Sequence, residues 1–373
     1  MNSCIKVLHI VPDLAYGGVE KVILNYYEYL DHEKFAFDFV THGNVYDYHK
    51  EIIDSGCRIF YFQSMGKIGY REYKKQAEKH IPFDQYDIIH IHVGHLTGVY
   101  ASIFKKLGKC KIICHAHTTM CVNRWHKVFM PFFRLLSVMY SDALIACGKA
   151  AGKYCFGKAR LFLIPNGLNF DLFRNVTNED VDRLKAEFGI KSNTLVVGHI
   201  GHFSKQKNHS FLVKIIHDYV RQNNNVKFVL VGDGPERVCI ESAIKANGDG
   251  AYVAFAGVRK DIVALMKMFD VFVLPSLFEG LPVVGVEAQA AGTPCVFSDT
   301  IDTAVCISKG YCEFIPIDKG SDRWVKAINR ASTCGRNTNE DAYDALCENG
   351  YEIKAGASKL VEVYDYLVFG AKR

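Results

Sequence analysis

The chain has 373 residues, and because single hydrophobic cores rarely grow past about 250–300 residues, we expect two domains. Hydrophobic residues make up 49% of the chain and charged residues 23%, which is ordinary for a globular protein and gives no sign of disorder. The formal net charge of +5 fits anionic ligands or an anionic membrane surface, and it is too small to indicate a nucleic-acid partner.

The first apolar run is short and is interrupted by Lys6 and His9. We interpret it as a buried first strand, because a signal peptide or a membrane span requires a longer uninterrupted run. The 13 cysteines are scattered without zinc or redox spacing, and the closest pair is Cys110 and Cys114. This usage predicts reduced, mostly buried thiols and a cytoplasmic protein.

Short apolar runs alternate with amphipathic stretches through the first half of the chain. The predicted strands are residues 6–11, 36–40, 58–62, 88–91, 111–114, 143–146 and 161–164, with helices such as 20–30 and 97–107 between them. This alternation predicts a parallel sheet that is covered by helices on both faces.

A polar stretch, residues 165–189, marks the predicted domain boundary, after which the same pattern restarts. The predicted strands of the second half are residues 195–200, 227–231, 252–255, 271–274, 294–297 and 314–317. Its predicted helices are 208–221, 235–246, 261–269 and 282–291. We therefore divide the chain into domains 1–172 and 173–353 and a closing helical segment, 354–373, which we expect to pack toward the first domain. In α/β sheets of this type, ligands bind beyond the carboxyl ends of the strands.

Histidines follow two successive strands of the first half. His90, His92 and His95 follow one strand, and His115 and His117 follow the next. Strand alternation places His90 and His92 on one face of the sheet, as it does His115 and His117. No carboxylate or cysteine completes a recognisable metal-ligand set, so we expect no metal site. Hydrogen-bonded structural histidines are the alternative for each, and we expect at least one of the five to contact substrate.

Three loops that follow predicted strands carry residues suited to an anion. Gly17 and Gly18 allow backbone N–H groups to approach an anion at a helix N-terminus. Lys205 and Lys207 precede a helix in the second half and supply positive charge to a phosphate. Residues 232–235 resemble half of a dinucleotide fingerprint whose third glycine is missing. An ordinary glycine-rich turn and a solvated basic helix start are the alternatives.

The most informative segment is residues 273–294. A strand ends, a loop carries Glu279, and a helix begins near Pro282 and ends before Gly292. Glu287 lies in that helix among Val, Ala and Gly, where an unpaired charge would be costly. Two carboxylates in this arrangement can accept hydrogen bonds from different hydroxyls of one ligand, while the helix start holds its phosphates.

In this setting, the E-x7-E spacing of Glu279 and Glu287 resembles the retaining, GT-B-fold glycosyltransferases of family 4, also called glycosyltransferase group 1. The bacterial members that build capsule or exopolysaccharide repeat units are the most similar. Supporting motifs are residues 17–20, 87–92, 164–167, 201–207 and 232–235, together with His117, so the resemblance covers nearly the whole chain. It implies two Rossmann-like, doubly wound parallel-sheet domains that face a central cleft. Domain 1–172 would bind the acceptor, and domain 173–353 the nucleotide-sugar.

The resemblance also implies a diphosphate site. Gly17 and Gly18 would approach the donor diphosphate, and Lys207 would pair with it. The family usually has arginine where this chain has His202, and a histidine is charged only near or below a pKa of about 6.5. We expect the bound diphosphate to keep His202 cationic and Lys205 to share its role.

Further roles concern the nucleoside and the sugar. By resemblance, Glu287 would hold the ribose hydroxyls, and Gly257 and Arg259 lie where the base is gripped. Glu279 would contact the transferred sugar, and His117 would stabilise the transition state near it. Gly280 and Leu281 follow Glu279 in the same loop and complete the predicted donor-binding set.

The mechanism implied is metal-independent transfer of a hexose or N-acetylhexosamine from a nucleoside-diphosphate sugar, most simply a UDP-sugar, with retention of configuration. We expect no cofactor, since preorganised cations can stabilise the leaving diphosphate and the chain has no Asp-x-Asp motif. The acceptor would be a glycan or a polyprenyl-diphosphate-linked glycan used in polysaccharide biosynthesis. Two other functions stay open: a nucleotide-sugar epimerase and a non-catalytic nucleotide-sugar-binding subunit.

Basic and aromatic residues are interleaved over residues 121–140, as in an interfacial segment. This pattern predicts peripheral docking on the inner face of the plasma membrane. A packed helix with a solvated face is the alternative.

Overall fold

The computed structural model describes residues 4–12, 18–43, 49–119 and 124–370. The chain forms two compact units, of which the first comprises residues 1–168 and 350–373 and the second residues 169–349. The boundaries expected from the sequence, 172/173 and 353/354, lie four residues from these. The polar stretch that suggested the first boundary is not a bare linker, because it contains two helices of the second unit, at 171–174 and 178–187.

The first unit is built on a parallel sheet. Its strands are β1 (Ile5–Val11), β2 (Phe35–Thr41), β3 (Ile59–Tyr61), β4 (Ile88–Ile91), β5 (Lys111–Ala116), β6 (Ala143–Ala146) and β7 (Phe162–Leu163). Within the described residues they are arranged in the order β3-β2-β1-β4-β5-β6-β7. Chain neighbours β1 and β2 pair with each other, and β1 also pairs with β4, which lies far along the chain.

Helices cover both faces of this sheet. They are α1 (Gly18–Glu28), α2 (His49–Asp54), α3 (Met65–His80), α4 (Thr97–Leu107), α5 (Arg124–Val128), α6 (Met130–Tyr140) and α7 (Lys149–Phe156). Alternation along β1 sends Val7 to the core beneath α1, and Leu8 and Ile10 to the core that includes α3 and α4. Both faces are therefore apolar, as in a doubly wound α/β unit.

The second unit repeats this plan. Its strands are β8 (Leu195–Ile200), β9 (Val226–Val231), β10 (Val253–Gly257), β11 (Val271–Leu274), β12 (Cys295–Ser298) and β13 (Cys312–Ile315), arranged β10-β9-β8-β11-β12-β13. Its helices are α8 (Asp171–Arg174), α9 (Asn178–Glu187), α10 (His209–Val220), α11 (Arg237–Ala246), α12 (Ile262–Met268), α13 (Val283–Ala290), α14 (Asp322–Thr333) and α15 (Asn339–Glu348). A capping box starts α9, where Thr177 and Asp180 each accept from the other's backbone N–H.

The last helix, α16 (Ile353–Phe369), belongs to the first unit and packs on α1. Close approach is possible because Gly356 has no Cβ, which would lie 2.6 Å from the Tyr26 hydroxyl oxygen. The same hydroxyl accepts from the Gly167 N–H at 3.0 Å and donates to the Pro165 carbonyl. Tyr364 from α16 is fully buried against the sheet.

Most predicted elements agree with the structure, and the differences lie at their ends. The helix predicted from 235 begins at Arg237, because Pro235 and Glu236 form a turn that precedes it. The strand predicted at 161–164 is reduced to β7, at the edge of the sheet. The twelve cysteines in the described ranges are free thiols. Among the described residues, no helix combines the length and the apolar character needed to span a membrane.

Candidate functional site

Five histidines of the first unit form a cluster on one face of the sheet. They are His9 in β1, His90 in β4, His92 just beyond β4, His115 in β5 and His117 just beyond β5. Each strand places them at alternate positions, and β1, β4 and β5 are neighbours in the sheet. The side chains of this histidine cluster therefore meet on the face that α1 and α16 cover, next to Ile23 and Leu360.

Two hydrogen-bonded chains connect the cluster. In one, His9 Nδ1 lies 3.1 Å from His92 Nε2, and His92 Nδ1 lies 3.0 Å from His117 Nε2. In the other, the Tyr364 hydroxyl lies 2.9 Å from His90 Nδ1, and His90 Nε2 lies 3.1 Å from His115 Nδ1. Three ring nitrogens have no hydrogen-bond partner in the structure: His9 Nε2, His115 Nε2 and His117 Nδ1.

Burial keeps these imidazoles neutral. Desolvation lowers the pKa of His9 to about 3 and that of His117 to about 4. Desolvation, followed by repulsion from the neighbouring histidines, holds the pKa values of His90, His92 and His115 well below their usual range. The cluster therefore offers lone pairs and N–H groups at neutral pH, and it is poorly suited to attract an anion by charge.

His95, which the sequence pattern grouped with these histidines, is not part of the cluster, whereas His9 and Tyr364, which it did not indicate, are. His95 instead lies in a short turn after β4, where its Nε2 is 2.8 Å from His126 Nδ1. His9 was interpreted only as an interruption of an apolar run. Its alternation with Val7 and Val11 would have placed it on the α1 face, but nothing local indicates that β1 lies beside β4.

In the second unit, the loops that follow β8 and β11 form a charged site. Lys207 Nζ lies 2.7 Å from Glu279 Oε1, and the ammonium and carboxylate side chains are only 16% and 8% exposed. The Ser276 hydroxyl donates to the same carboxylate oxygen at 2.7 Å, and Gln206 Nε2 donates to the other oxygen at 3.1 Å. The structure thus joins two predicted site residues, Lys207 and Glu279, in one hydrogen-bonded group.

Backbone geometry fixes the two loops of this group against each other. The Leu277 N–H donates to the Gln206 carbonyl at 2.8 Å, and Asn208 Nδ2 donates to the Pro275 carbonyl at 3.1 Å. Asn208 has a left-handed backbone (φ 57°), which turns the chain into α10 directly after Lys207. Gln206 and Asn208 were not predicted as site residues, because their partners lie 73 and 67 residues away in sequence. Ser276 was also missed, although its partner Glu279 is only three residues along the chain.

The loop after β9 packs against the loop after β8. A Cβ at Gly232 would lie 2.2 Å from the Gly201 carbonyl oxygen, so this position requires glycine. Gly234 has a positive φ of 154° and lies against His202 and Phe203. His202 and Lys205 are exposed at this edge of the unit, where both could reach an anion.

Glu287 lies inside α13 and is 6% exposed. Gly280 and Leu281 lie half-buried in the loop that leads to this helix. Gly292 ends the helical segment with a positive φ of 76°, and a Cβ there would lie 2.5 Å from the Asn337 carbonyl oxygen. The segment that carries both predicted carboxylates is therefore held at each end by backbone contacts.

The remaining predicted residues have separate environments. The Gly257 carbonyl accepts from the Gly232 N–H at 2.8 Å. The Arg259 guanidinium lies 2.5 Å from Glu187 and 2.7 Å from Asp261, and hydrogen bonds to these carboxylates raise its pKa. Gly18 is the first residue of α1, and Gly17 lies outside the described residues.

Two family models match the chain, one for each unit. The model described as "Glycosyltransferase Family 4" matches residues 16–172, and the model described as "Glycosyl transferases group 1" matches residues 180–352. The second match contains Lys207, Glu279 and Glu287, and the first contains the whole histidine cluster except His9.

Relatives match the chain from end to end. It is 34% identical to the putative glycosyltransferase EpsF of Bacillus subtilis (strain 168), with 98% of each chain covered. It is 25% identical to an Escherichia coli enzyme, the UDP-Gal:alpha-D-GlcNAc-diphosphoundecaprenol alpha-1,3-galactosyltransferase, with 97% of each chain covered. Two matches over nearly full length indicate a shared architecture and a shared class of reaction.

A solved structure shows the same fold. The Anabaena protein HepE, crystallised with UDP and glucose, aligns with a TM-score of 0.75 at 20% identity and covers 96% of this chain and 99% of its own. Both proteins are built from two Rossmann-like units with parallel sheets, which confirms the GT-B fold expected from the sequence. With both family models matched and a full-length relative at 34% identity, the chain belongs to glycosyltransferase family 4, the group 1 glycosyltransferases, and is a glycosyltransferase.

Proposed function

We propose that this glycosyltransferase transfers a hexose or N-acetylhexosamine from a UDP-sugar to a lipid-linked glycan during polysaccharide biosynthesis, with retention of anomeric configuration. The observation that carries the proposal is the half-buried group of Lys207 and Glu279 at the ends of β8 and β11. A cation held by a carboxylate at this edge supplies a preorganised charge for a diphosphate and an acceptor for sugar hydroxyls.

Binding of the donor would exchange partners within this group. A diphosphate competes with Glu279 for Lys207, while Ser276 and Gln206 keep hydrogen bonds to the carboxylate. Glu279 is thereby held in place to accept from the sugar. The exposed His202 and Lys205 add positive charge on the same loop. The solved HepE complexes with UDP and with UDP-glucose make a uridine donor the first choice.

The chemical step follows from charge development. As the glycosidic bond breaks, negative charge grows on the leaving diphosphate, and Lys207 stabilises it without reorganisation. We assign to the neutral His117 a hydrogen bond to the sugar, in keeping with its burial-lowered pKa of about 4. The departing phosphate oxygen takes the acceptor proton on the face that the diphosphate leaves, so configuration is retained and no protein nucleophile is needed.

An exposed apolar surface on α5 and α6 supports a membrane-borne acceptor. Trp125 is 73% exposed and Met139 60% exposed, and the other exposed apolar members of this surface are Val128, Phe129, Phe132, Leu135 and Val138. Contiguous apolar surface of this kind marks an interaction site. Exposed Lys127 lies within it, which fits an anionic lipid surface. The E. coli relative is named for a diphosphoundecaprenol-linked acceptor.

The donor is tested first by thermal denaturation with UDP-, GDP- and ADP-sugars. We expect stabilisation by a UDP-sugar, since a ligand that binds only the folded state raises its melting temperature. Turnover is then measured with a diphosphoundecaprenol-linked sugar, and the anomeric configuration of the product is read by NMR. Inversion of configuration, or release of UDP without a glycosylated product, would contradict the proposal.

The membrane surface is tested by flotation with anionic and with zwitterionic vesicles. We expect the wild-type protein to float with anionic vesicles and the double variant Trp125→Ser/Phe132→Ser to remain behind. Val238 is as exposed as Trp125 but lies alone on α11, so Val238→Ser is a matched control that should float normally. Equal flotation of all three proteins would exclude this surface as the docking site.

A further inference from the structure

The histidine cluster contains more nitrogen ligands than the proposed transfer reaction uses. Two groups of three converge so that one ligand atom from each residue lies within 4.8 Å of the others: His9, His90 and His92, and His92, His115 and His117. Neutral imidazole is the protein ligand that suits Zn²⁺ and its first-row neighbours. From this convergence we propose that His92, His115 and His117 bind a transition-metal ion, with Zn²⁺ the preferred occupant.

One distance within the cluster is close to the separation that a metal requires. His92 Nδ1 and His117 Nε2 are 3.0 Å apart. In a tetrahedral zinc site with bonds of about 2.0–2.1 Å, two nitrogen ligands lie about 3.3 Å apart. This pair therefore needs to separate by a few tenths of an ångström, with a rotation of the two rings that aims both lone pairs at the metal, while the ligand atom of His115 lies within 4.8 Å of theirs.

Access favours His92, His115 and His117 over the other group, because His117 is half-buried whereas His9, His90 and His92 are all buried. A metal-ligating histidine almost always uses its second ring nitrogen in a hydrogen bond. His92 Nε2 contacts His9 Nδ1, and His115 Nδ1 contacts His90 Nε2, which leaves the unpartnered His115 Nε2 as the third ligand atom. Each group contains one residue whose second ring nitrogen has no partner, His117 Nδ1 in this group and His9 Nε2 in the other.

The tautomers required by the metal are mutually consistent. With the metal on His92 Nδ1, the Nε2–H donates to His9. With the metal on His115 Nε2, the Nδ1–H donates to His90, whose own Nδ1–H then donates to the Tyr364 hydroxyl. Each of these protons has an acceptor already in place.

His117 gives the site an open side. The rings of His92 and His115 are buried, whereas His117 is half-buried at the carboxyl end of β5. A metal held by three neutral ligands keeps its double charge, so a water or an anionic oxygen from that side is needed as the fourth ligand. The site thus has the three-ligand form of an open zinc centre.

Metal binding also has a consequence that rests on the proposed function of His117. Zinc on Nε2 would fix His117 as the Nδ1–H tautomer and hold its ring toward His92 and His115, so the imidazole could no longer adjust its position or tautomer to a sugar. Micromolar Zn²⁺ is therefore expected to inhibit transfer, and a chelator is expected to restore it. Binding itself is measured without turnover, so failure of the metal site and failure of the proposed function can be told apart.

The binding test uses the full chain, stripped of metal and titrated with Co²⁺, whose visible absorption reports its ligands. We expect one equivalent of four-coordinate Co²⁺ with three nitrogen ligands and one oxygen ligand, and no thiolate charge-transfer band. X-ray absorption of the Zn²⁺ form should show nitrogen or oxygen neighbours at about 2.0–2.1 Å. Binding through cysteine would overturn the proposal. So would binding no stronger than that of a variant in which His92, His115 and His117 are all replaced by glutamine.

Variants separate ligands from supporting residues. His117→Gln, which changes a half-buried side chain, should weaken binding by more than about 100-fold, and so should His115→Gln. His9→Phe removes only an outer hydrogen bond and should weaken it by about 10–100-fold. His80→Gln on the exposed end of α3 is the matched control and should bind normally. If His9→Phe abolishes binding and His117→Gln does not, the ligand assignment is wrong.

Discussion

In both units, polar side chains collect where parallel strands end, but the two sites hold charge in opposite ways. The histidine cluster of the first unit is deeply buried and neutral, with pKa values for His9 and His117 lowered to about 3 and 4. The site of the second unit is instead built on an ion pair, in which Lys207 Nζ lies 2.7 Å from Glu279 Oε1. Burial thus favours neutral imidazoles with free lone pairs in the first unit, whereas ion pairing stabilises an ammonium and a carboxylate in the second.

This contrast assigns different ligands to the two sites. A charged pair that can change partners suits a diphosphate, whereas neutral imidazoles suit hydroxyl groups or a metal ion.

Removal of the cation should abolish most activity. Lys207→Ala takes away the charge aimed at the leaving diphosphate, and loss of one such group costs about 10²–10³-fold in kcat. The measurement is steady-state release of UDP in the presence of acceptor. Lys214→Ala, an exposed lysine on the following helix, is the control and should retain normal turnover. Full activity of the Lys207 variant would contradict the assignment of the charged site.

The neutral cluster should make the protein sensitive to acid. His9 has a lowered pKa in the folded state, so the unfolded state binds more protons between about pH 3 and 6.5, and stability falls as the pH drops through that window. His9→Phe removes one imidazole that takes up a proton when the protein unfolds. Its free energy of unfolding should vary less with pH, by up to about 1.4 kcal/mol per pH unit.

Denaturant unfolding at several pH values between 4.5 and 7.5 measures this slope. His80→Gln alters an exposed histidine and should leave the slope unchanged. Identical slopes for wild type and His9→Phe would mean that the buried imidazole does not resist protonation.

A smaller effect is expected on the rim of the charged site. Arginine keeps its charge at every cellular pH, whereas histidine loses its charge above a pKa of about 6.5. His202→Arg should therefore leave turnover within a few-fold at pH 7 and should improve donor affinity at pH 8. Isothermal titration with UDP at both pH values tests this. A loss of affinity at pH 8 would show that an added cation at this position does not help to bind the diphosphate.

The smallest effect is expected for Arg259, which was predicted to lie near the base. In the structure its guanidinium is held by Glu187 and Asp261. Arg259→Ala should cost at most about 1 kcal/mol of stability, as partly exposed ion pairs do, and should change UDP affinity less than twofold. A tenfold loss of UDP affinity without a change in stability would instead support a direct contact with the nucleotide.

Local patterns predicted much of the fold. Period-two and amphipathic patterns located the strands and most helices to within a few residues, because side-chain alternation is a property of neighbouring positions. The segment with Glu279 and Glu287 was recognised for a similar reason, since its strand, loop and helix are consecutive in the chain. The ends of elements were predicted less well, as with the late start of α11 after its turn.

The contacts within the sites could not be predicted in this way. Lys207 meets Glu279 across 72 positions, and His9 meets His92 across 83. Arg259 was expected to bind a ligand, but Glu187, also 72 positions away, holds it. His95 was grouped with the cluster because it is near in sequence, although a turn after β4 directs it to His126.

The two α/β units, the carboxylate segment and the loops that carry cations follow from the amino-acid sequence, because each depends on residues close together in the chain. The pairing of Lys207, the place of His9 in a buried cluster and the contact of Tyr364 with that cluster depend on the folded chain. The order of the strands in each sheet is the physical reason, since placing β1 beside β4 and β8 beside β11 brings distant residues into contact and removes them from water.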